Sequence, residues 1–168
     1  MAEGMDVVTV NPCEVYGPED TSLVTAGNIV DIYGGPVALV CSGGTAVAHV
    51  DDVAEGVVLG FERGVAGERY ILGGENLTIQ QLAKSVLRLG EKTRPVWLIP
   101  NFLLRGLCWL LLKLHLPTPA PVDVLDYAMR YWFVDSSKAK RELGYRYRSA
   151  DETLEPVVKW LLETGRIR

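Results

Sequence analysis

The residues with the clearest chemical potential follow a short apolar segment near the start of the chain, in the sequence VVTVNPCEVYGPED. Residues 7–10 predict a buried strand of a parallel sheet, because Thr9 is their only polar member. Pro12 has no N–H, so the ladder of backbone hydrogen bonds should end there. The backbone groups of residues 13–15 would then stay unpaired at the rim where open α/β sheets bind ligands, and they would suit a flat amide. The motif is also that of an ordinary strand-ending turn.

A second candidate group is the sequence HVDD at positions 49–52. Two carboxylates beside a histidine could act in acid/base chemistry. More simply, Asp51 or Asp52 caps the helix that follows, the other Asp lies in its first turn, and His49 has a structural role on a strand. The three cysteines have no metal-ligand spacing, so they predict free thiols in a reducing, cytoplasmic setting and no metal site.

Composition argues against several classes of partner. The net charge is −4 and no block of Lys and Arg occurs, which does not favour nucleic acid or an anionic membrane. The apolar run FLLRGLCWLLLKLHL at 102–116 is too short to span a bilayer and carries Arg105 and Lys113. It predicts an amphipathic or buried helix and no firm membrane insertion. A surface that receives a greasy substrate or touches a membrane is the alternative.

Strands and helices alternate along the chain, which is typical of an α/β fold. Predicted strands fall at 7–10, 36–41, 45–50, 69–72 and 94–100. Predicted helices fall at 21–33, 51–64, 76–90, 102–116, 122–130, 136–144 and 149–165. Only 7–10 and 69–72 have the pattern of central parallel strands, and two such strands cannot cover their own faces and edges. We therefore expect a sheet with most of its strands absent.

Three blocks in one order carry a family resemblance: residues 7–20, 48–78 and 133–161. Together they resemble the C-terminal half of an extended short-chain dehydrogenase/reductase, especially the dihydroflavonol-reductase-like group and the hopanoid-associated sugar epimerases. The resemblance implies the C-terminal part of a Rossmann-type parallel sheet plus a small mixed α/β substrate-binding subdomain. It implies one incomplete domain, in which 1–35 and 51–76 belong to the Rossmann sheet and 36–50 and 77–168 mainly to the subdomain.

The same resemblance implies NAD or NADP as the cofactor and assigns residues to it. One segment would lie against the nicotinamide end of the cofactor, and it consists of Pro12, Cys13, Glu14 and Val15. The backbone N–H of Val15 would contact the carboxamide. Ser22 or Thr25 would reach the ribose or the substrate. Trp109 would line the substrate cleft.

Two expected features are absent from the sequence. None of the seven tyrosines is followed four residues later by a Lys, so the chain has no catalytic Tyr-Lys pair. The glycines at 60, 64 and 67 have the spacing of a phosphate-binding turn, but they end a helix and precede a strand, which is the wrong context. Thr45 stands where nucleotide-sugar members often carry an Arg, and this favours an uncharged or hydrophobic substrate.

Two hypotheses follow. In the first, the chain is the substrate-binding half of an NAD(P)-dependent oxidoreductase or epimerase whose partner is an N-terminal half that carries the remaining strands. In the second, the chain is a truncated, non-catalytic homologue that binds a small ligand or pairs its exposed strands with a partner chain. A homodimer is open under either hypothesis, and the substrate is a small molecule in the first.

Overall fold

The computed structural model of the chain describes residues 4–34, 37–117 and 122–168. The strands are β1 (Thr9–Pro12), β2 (Glu14–Tyr16), β3 (Ala38–Cys41), β4 (Gly44–His49), β5 (Arg69–Leu72), β6 (Glu75–Thr78) and β7 (Val96–Ile99). The helices are α1 (Ala26–Tyr33), α2 (Val50–Arg63), α3 (Ile79–Leu89), α4 (Asn101–Lys113), α5 (Val122–Ala128), α6 (Ser137–Leu143) and α7 (Ala150–Glu163).

The strands form three small sheets. β1 pairs in parallel with β5, with Thr9 opposite Arg69 and Pro12 opposite Leu72. β4 is the centre of the second sheet, parallel to β2 and antiparallel to β6. β3 and β7 form the third sheet, also in parallel. The predicted α/β class is confirmed, and the two strands predicted at 7–10 and 69–72 pair in parallel, although each has only one partner among the described residues and β1 lies two residues further along the chain than predicted.

Several element boundaries differ from the prediction. The short strands β2 and β6 were missed. The three residues of β2 carry too little period to be recognised, and residues 76–78 of β6 were assigned to the helix that starts only at Ile79. The helix predicted from residue 21 starts only at Ala26, since residues 21–25 form turns that the side chain of Asp20 holds. Residues 35 and 36, at the start of a predicted strand, lie outside the described residues.

Helix caps show where sequence reasoning worked and where it did not. Thr78 and Gln81 form a capping box at α3, as their residue types and spacing in the sequence indicate, and Ser149 and Glu152 form another at α7. The prediction that Asp51 or Asp52 caps α2 is wrong. His49 is the N-cap, because its Nδ1 accepts the N–H of Asp51 at 3.1 Å.

The glycines of the sequence GFERGVAG serve packing and helix termination. Gly64 ends α2 as its C-cap, as predicted. A Cβ on Gly64 would lie 2.7 Å from Val8, and a Cβ on Gly60 would lie 2.8 Å from Val10. Both glycines therefore let α2 approach β1 closely.

Two apolar cores hold the layers together. One core packs α1, α3 and α7 against the second sheet, and its fully buried members include Tyr16, Ile29, Val86, Leu154 and Val157. The other packs α2 and α6 against the β1–β5 pair, and its members include Tyr70, Leu72, Leu143 and Tyr145. A third, smaller cluster of Leu104, Cys108 and Met129 holds α4 in place.

A buried carboxylate joins α2 to the segment before α7. Asp52 is nearly inaccessible and accepts the backbone N–H of Arg148 at 2.9 Å. The guanidinium of Arg148 also reaches Asp52, with Nη2···Oδ1 at 2.7 Å and Nε···Oδ1 at 3.0 Å. The hydrogen bonds that Arg148 donates to Asp52 raise the pKa of the Arg148 guanidinium. Asp52 is thus a structural residue that fixes the position of α2.

We predict that Asp52→Ala lowers the free energy of unfolding by about 2–3 kcal/mol, because the guanidinium and N–H of Arg148 lose their acceptor. The matched control is Lys159→Ala, which removes an exposed ion pair to Glu163 at 3.9 Å. That control should cost at most about 0.5 kcal/mol. Urea denaturation followed by circular dichroism measures both values, and equal losses would contradict the structural role of Asp52.

Candidate functional site

The candidate site lies where the chain passes from the first sheet to the second. Cys13 alone separates β1 from β2, and its N–H donates to the Leu72 carbonyl at 3.3 Å. Val15 then lies opposite Ala48 in β4, and its carbonyl accepts the hydroxyl hydrogen of Thr25 at 2.7 Å. The prediction that the backbone of residues 13–15 stays unpaired is therefore wrong for these two groups. The segment is instead held rigidly between two sheets.

Glu14 is positioned by a buried tyrosine. The hydroxyl of Tyr16 donates to Glu14 Oε2 at 3.0 Å and accepts from Asn28 Nδ2 at 3.3 Å. Tyr16 is fully buried, and this burial, together with the negative charge of Glu14, raises the pKa of its phenol. The phenol therefore stays protonated and keeps donating, which fixes the carboxylate of Glu14 at the site.

A cavity of about 270 Å³ opens beside Glu14. Its apolar wall includes Tyr127 and Trp132, whose rings stack with centroids 4.7 Å apart. The indole N–H of Trp132 donates to the Tyr127 carbonyl at 3.0 Å, which holds the two rings in this arrangement. Thr45, buried in β4, also lines the cavity. Aromatic surfaces of this kind bind apolar or ring-shaped ligands.

The charge in this cavity is negative. Glu14 and Asp31 line it, and no Lys, Arg or His stands among the described residues of its wall. Partial burial and the charge of Glu14 raise the pKa of the Tyr127 phenol. Thr45 occupies the position discussed above for an Arg, and its hydroxyl brings no charge. A ligand with a diphosphate would meet repulsion here without a compensating cation.

Ser22 and Thr25 lie in the loop between β2 and α1. Ser22 is exposed, and neither side chain lines the cavity. The Thr25 hydroxyl ties this loop to β2 through its bond to Val15. Asp20 orders the loop from the other side, since its carboxylate accepts the N–H groups of Val24, Thr25 and Ala26 at 3.0–3.1 Å.

Trp109 lies apart from this cavity. It projects from α4 with an exposed fraction of 64% and lines a second cavity of about 370 Å³ between α4 and α5. The other walls of that cavity include Leu104, Arg105 and Met129. The structure thus brings only Glu14 of the predicted site residues into the first cavity. The substrate-binding role of Trp109 stays a prediction.

Sequence reasoning missed the aromatic wall of the cavity and the role of Asp20 in ordering the loop between β2 and α1. The aromatic cluster in DYAMRYWF, residues 126–133, was visible as composition, but nothing in it indicated which rings face Glu14. Asp20 stands five and six residues before the N–H groups of Thr25 and Ala26, outside any standard capping spacing.

The residues that the structure describes form neither a metal site nor a membrane-spanning helix. Within those residues, no three His, Cys, Asp or Glu side chains converge as a metal site. Among the helices described, none is both long enough and apolar enough to cross a bilayer.

Burial raises the pKa of the Cys13 thiol, so this thiol is protonated at neutral pH.

Comparison with known proteins adds relatives that are each about twice the length of the chain. No family model matches the sequence. A protein of Synechocystis sp. named as a candidate dihydroflavonol 4-reductase is 29% identical over 99% of this chain and 51% of that protein. Sterol demethylase protein B of Methylococcus capsulatus is 30% identical over 98% of the chain and 52% of that protein. The chain spans about half the length of these curated relatives.

Solved structures give the same proportion. The crystal structure of a nucleoside-diphosphate-sugar epimerase from Pseudomonas aeruginosa matches with a TM-score of 0.79 and 27% identity, over 98% of this chain and 51% of that one. A dTDP-glucose 4,6-dehydratase from Streptomyces venezuelae, solved with NAD bound, matches with a TM-score of 0.64 at 24% identity, over 96% and 45%. The latter likeness shows the fold alone. All four proteins are named for enzymes, so the comparisons do not favour a non-catalytic module.

We predict that Asp20→Ala lowers the free energy of unfolding by about 1–2 kcal/mol, because three N–H groups lose their acceptor. Although partial burial opposes it, hydrogen bonding from Ala26, Val24 and Thr25 lowers the pKa of Asp20. A lowered pKa stabilises the fold above the ordinary carboxyl pKa, and this contribution is lost as the pH falls below about 4. The stability of Asp20→Asn should therefore fall less steeply with acid than that of the parent chain.

The matched control for this measurement is Glu55→Gln, which removes an exposed carboxylate on α2. Its urea midpoint should follow that of the parent chain from pH 7 to pH 3. If Asp20→Asn also follows the parent chain over that interval, the charged form of Asp20 does not hold the loop.

Proposed function

We propose that this chain, which matches the C-terminal half of its relatives and resembles an extended short-chain dehydrogenase/reductase, forms the substrate-binding half of an NAD(P)-dependent reductase or epimerase. The substrate in this proposal is a small alcohol or carbonyl compound that is uncharged or hydrophobic. One observation carries the proposal: the cavity beside Glu14 has an aromatic wall and acidic side chains but no described cationic group. It adjoins the carboxyl end of β1, where ligands of open α/β sheets bind.

In this proposal the cofactor meets the chain at the end of β1. Pro12, Cys13, Glu14 and Val15 would orient the nicotinamide end of NAD or NADP, and the cofactor supplies hydride transfer when bound. The rigid crossing between the sheets supports this assignment, because orientation needs a backbone that does not move. Ser22 or Thr25 would reach the ribose or substrate.

The proposal needs a complementary half that completes the sheet. In the described part of the chain, β1 pairs only with β5. The N–H groups of Thr9 and Cys13 both point to the β5 side. By alternation, the N–H and C=O of Val10 point the other way. A groove of about 580 Å³ lies between β1 and α2, lined by Val7, Val10 and Phe61 among others. These features support a neighbouring strand and helix from the N-terminal half.

The nature of the substrate rests on charge and on one relative. An acidic cavity wall disfavours a diphosphate, which would need the Arg that Thr45 replaces. The name of the relative sterol demethylase protein B also supports a hydrophobic substrate. The sugar-nucleotide epimerase among the solved structures supports the opposite choice, so the experiment below compares both ligand classes.

We predict that testosterone, a neutral molecule with one carbinol and one ketone, raises the melting temperature of the chain, whereas UDP-glucose does not. A ligand that binds only the folded state stabilises it by about 2.7 kcal/mol at a hundred times its Kd. Tyr127→Ala should abolish the shift because it removes half of the aromatic wall. A shift with UDP-glucose alone would contradict the proposal.

The matched control is Tyr131→Ala. Tyr131 is a neighbouring, similarly exposed tyrosine, but its hydroxyl pairs with Ser42 at 2.9 Å and its ring packs on Phe133, outside the lining of the cavity. This variant should keep the shift with testosterone. Equal loss of the shift in both tyrosine variants would place the ligand elsewhere.

We also predict that the 168-residue chain alone shows no saturable micromolar binding of NADH or NADPH. The described glycines of GFERGVAG pack α2 against β1 and leave no cradle for the pyrophosphate, so only the nicotinamide end would find contacts. Titration with either dinucleotide, followed by its fluorescence, measures this directly. Micromolar affinity would mean that the cofactor site is complete in this chain, against the proposal of a half.

A further inference from the structure

The outward face of α4 is apolar. Among its described side chains the helix buries only Leu104 and Cys108, which lie on one narrow stripe. The opposite side carries Phe102 with an exposed fraction of 72%, Trp109 with 64%, and Leu110, which is also exposed. A helix on a water-facing surface places polar side chains there instead. Contiguous exposed apolar residues of this kind mark a surface that binds something.

This surface is distinct from the open edge of β1. α4 rests on the small cluster that contains Leu104, Cys108 and Met129, with Ile99 and Leu125 beside it. β1 belongs to the separate core around Tyr70 and Leu72, and its groove shares no lining residue with the cavity under α4. A half that completes the sheet at β1 would therefore not account for the exposed side of α4.

The charged side chains within residues 96–117, which include α4, are all basic. Residues 96–117 contain no Asp or Glu, although the whole chain has a net charge of −4. Arg105 is paired at 3.0 Å with Asp126 of α5, which neutralises one charge. Lys113 stays on the exposed side, with its Nζ 5.1 Å from the centre of the Trp109 ring. His115 follows two residues later and is exposed.

We propose that α4, extended by Leu114 and Leu116, is an interfacial helix that lies on an anionic lipid surface. Its 13 residues measure about 20 Å, whereas the apolar core of a bilayer is about 30 Å thick. The helix therefore lies in the plane of the interface, with Phe102, Trp109 and Leu110 in the acyl boundary. The Lys113 side chain extends to the interface, so that its ammonium group stays in water among the anionic headgroups.

A second copy of the chain fits this surface less well. A twofold contact through α4 would bring Lys113 and His115 near the same groups of the partner, with no acidic residue in 96–117 to balance them. An anionic bilayer complements both the apolar surface and the positive charge.

The test is cosedimentation of the chain with vesicles of phosphatidylcholine alone and of phosphatidylcholine mixed with phosphatidylglycerol. We expect binding to the mixed vesicles, and a loss of at least about tenfold in Trp109→Glu. Lys113→Gln should weaken binding to the mixed vesicles about fivefold, as expected for one Lys beside an anionic surface. The matched control is Val58→Glu, which changes an apolar side chain with an exposed fraction of 54% on α2 and should bind like the parent chain.

A second readout does not depend on the folding of charged variants. Brominated phosphatidylcholine in the mixed vesicles should quench the tryptophan fluorescence of the parent chain. Trp109→Phe should lose most of this quenching, and Trp160→Phe, which alters a residue of α7 in the first core, should keep it.

Three results would overturn the proposal. They are no binding of the parent chain to mixed vesicles, equal losses in Val58→Glu and Trp109→Glu, and a dimer in analytical ultracentrifugation that Trp109→Glu dissociates. The last result would assign the surface to a second copy. None of these outcomes depends on the ligand class of the cavity beside Glu14, so this proposal and the proposed function can fail separately.

Discussion

The passage of the chain from one sheet to another at Cys13 is the constraint on which the site depends. The N–H of Cys13 donates to the Leu72 carbonyl of β5, and the next residue, Glu14, already belongs to a different sheet as the start of β2. One sheet therefore holds residues 9–12 and the other holds residues 14–16, which leaves the backbone at Cys13 almost no freedom. Glu14 stands at this crossing, and the buried phenol of Tyr16 fixes its carboxylate toward the cavity. The position of this crossing decides which side chains line the cavity.

The chain combines a well-packed interior with two apolar surfaces that its described residues do not cover. Buried tyrosines, capping boxes and the Asp52–Arg148 pair order the interior. Along β1 the outer edge of a parallel strand is open, and parallel sheets are normally covered on both faces and continued at their edges. On α4 the outward side is apolar with a positive charge. The first surface has the hydrogen-bonding groups of a strand and the second has none, so they suit different partners.

The sequence was most informative where a pattern of neighbouring residues corresponds to one local structure. The capping box at Thr78 and Gln81, the strand RYIL and the apolar run of α4 could each be predicted from neighbouring residues. His49 shows the limit. Its ring nitrogen caps α2, whereas Asp51 and Asp52 lie inside the first turn, where Asp52 accepts hydrogen bonds from Arg148, ninety-six residues away in the chain. No pattern within α2 could have indicated that competition.

By itself the sequence determined the α/β class, the end of β1 at Pro12, the lack of a Tyr-Lys pair and the family resemblance, because each depends on residue type and local spacing. Only the tertiary structure decided that Tyr127 and Trp132 face Glu14, that Trp109 lies on another surface, and that Asp20 orders the loop after β2. These relations join residues that are distant in sequence or irregularly spaced. Their geometry is set by the packing of several elements at once, and that packing leaves no periodic signal in the sequence.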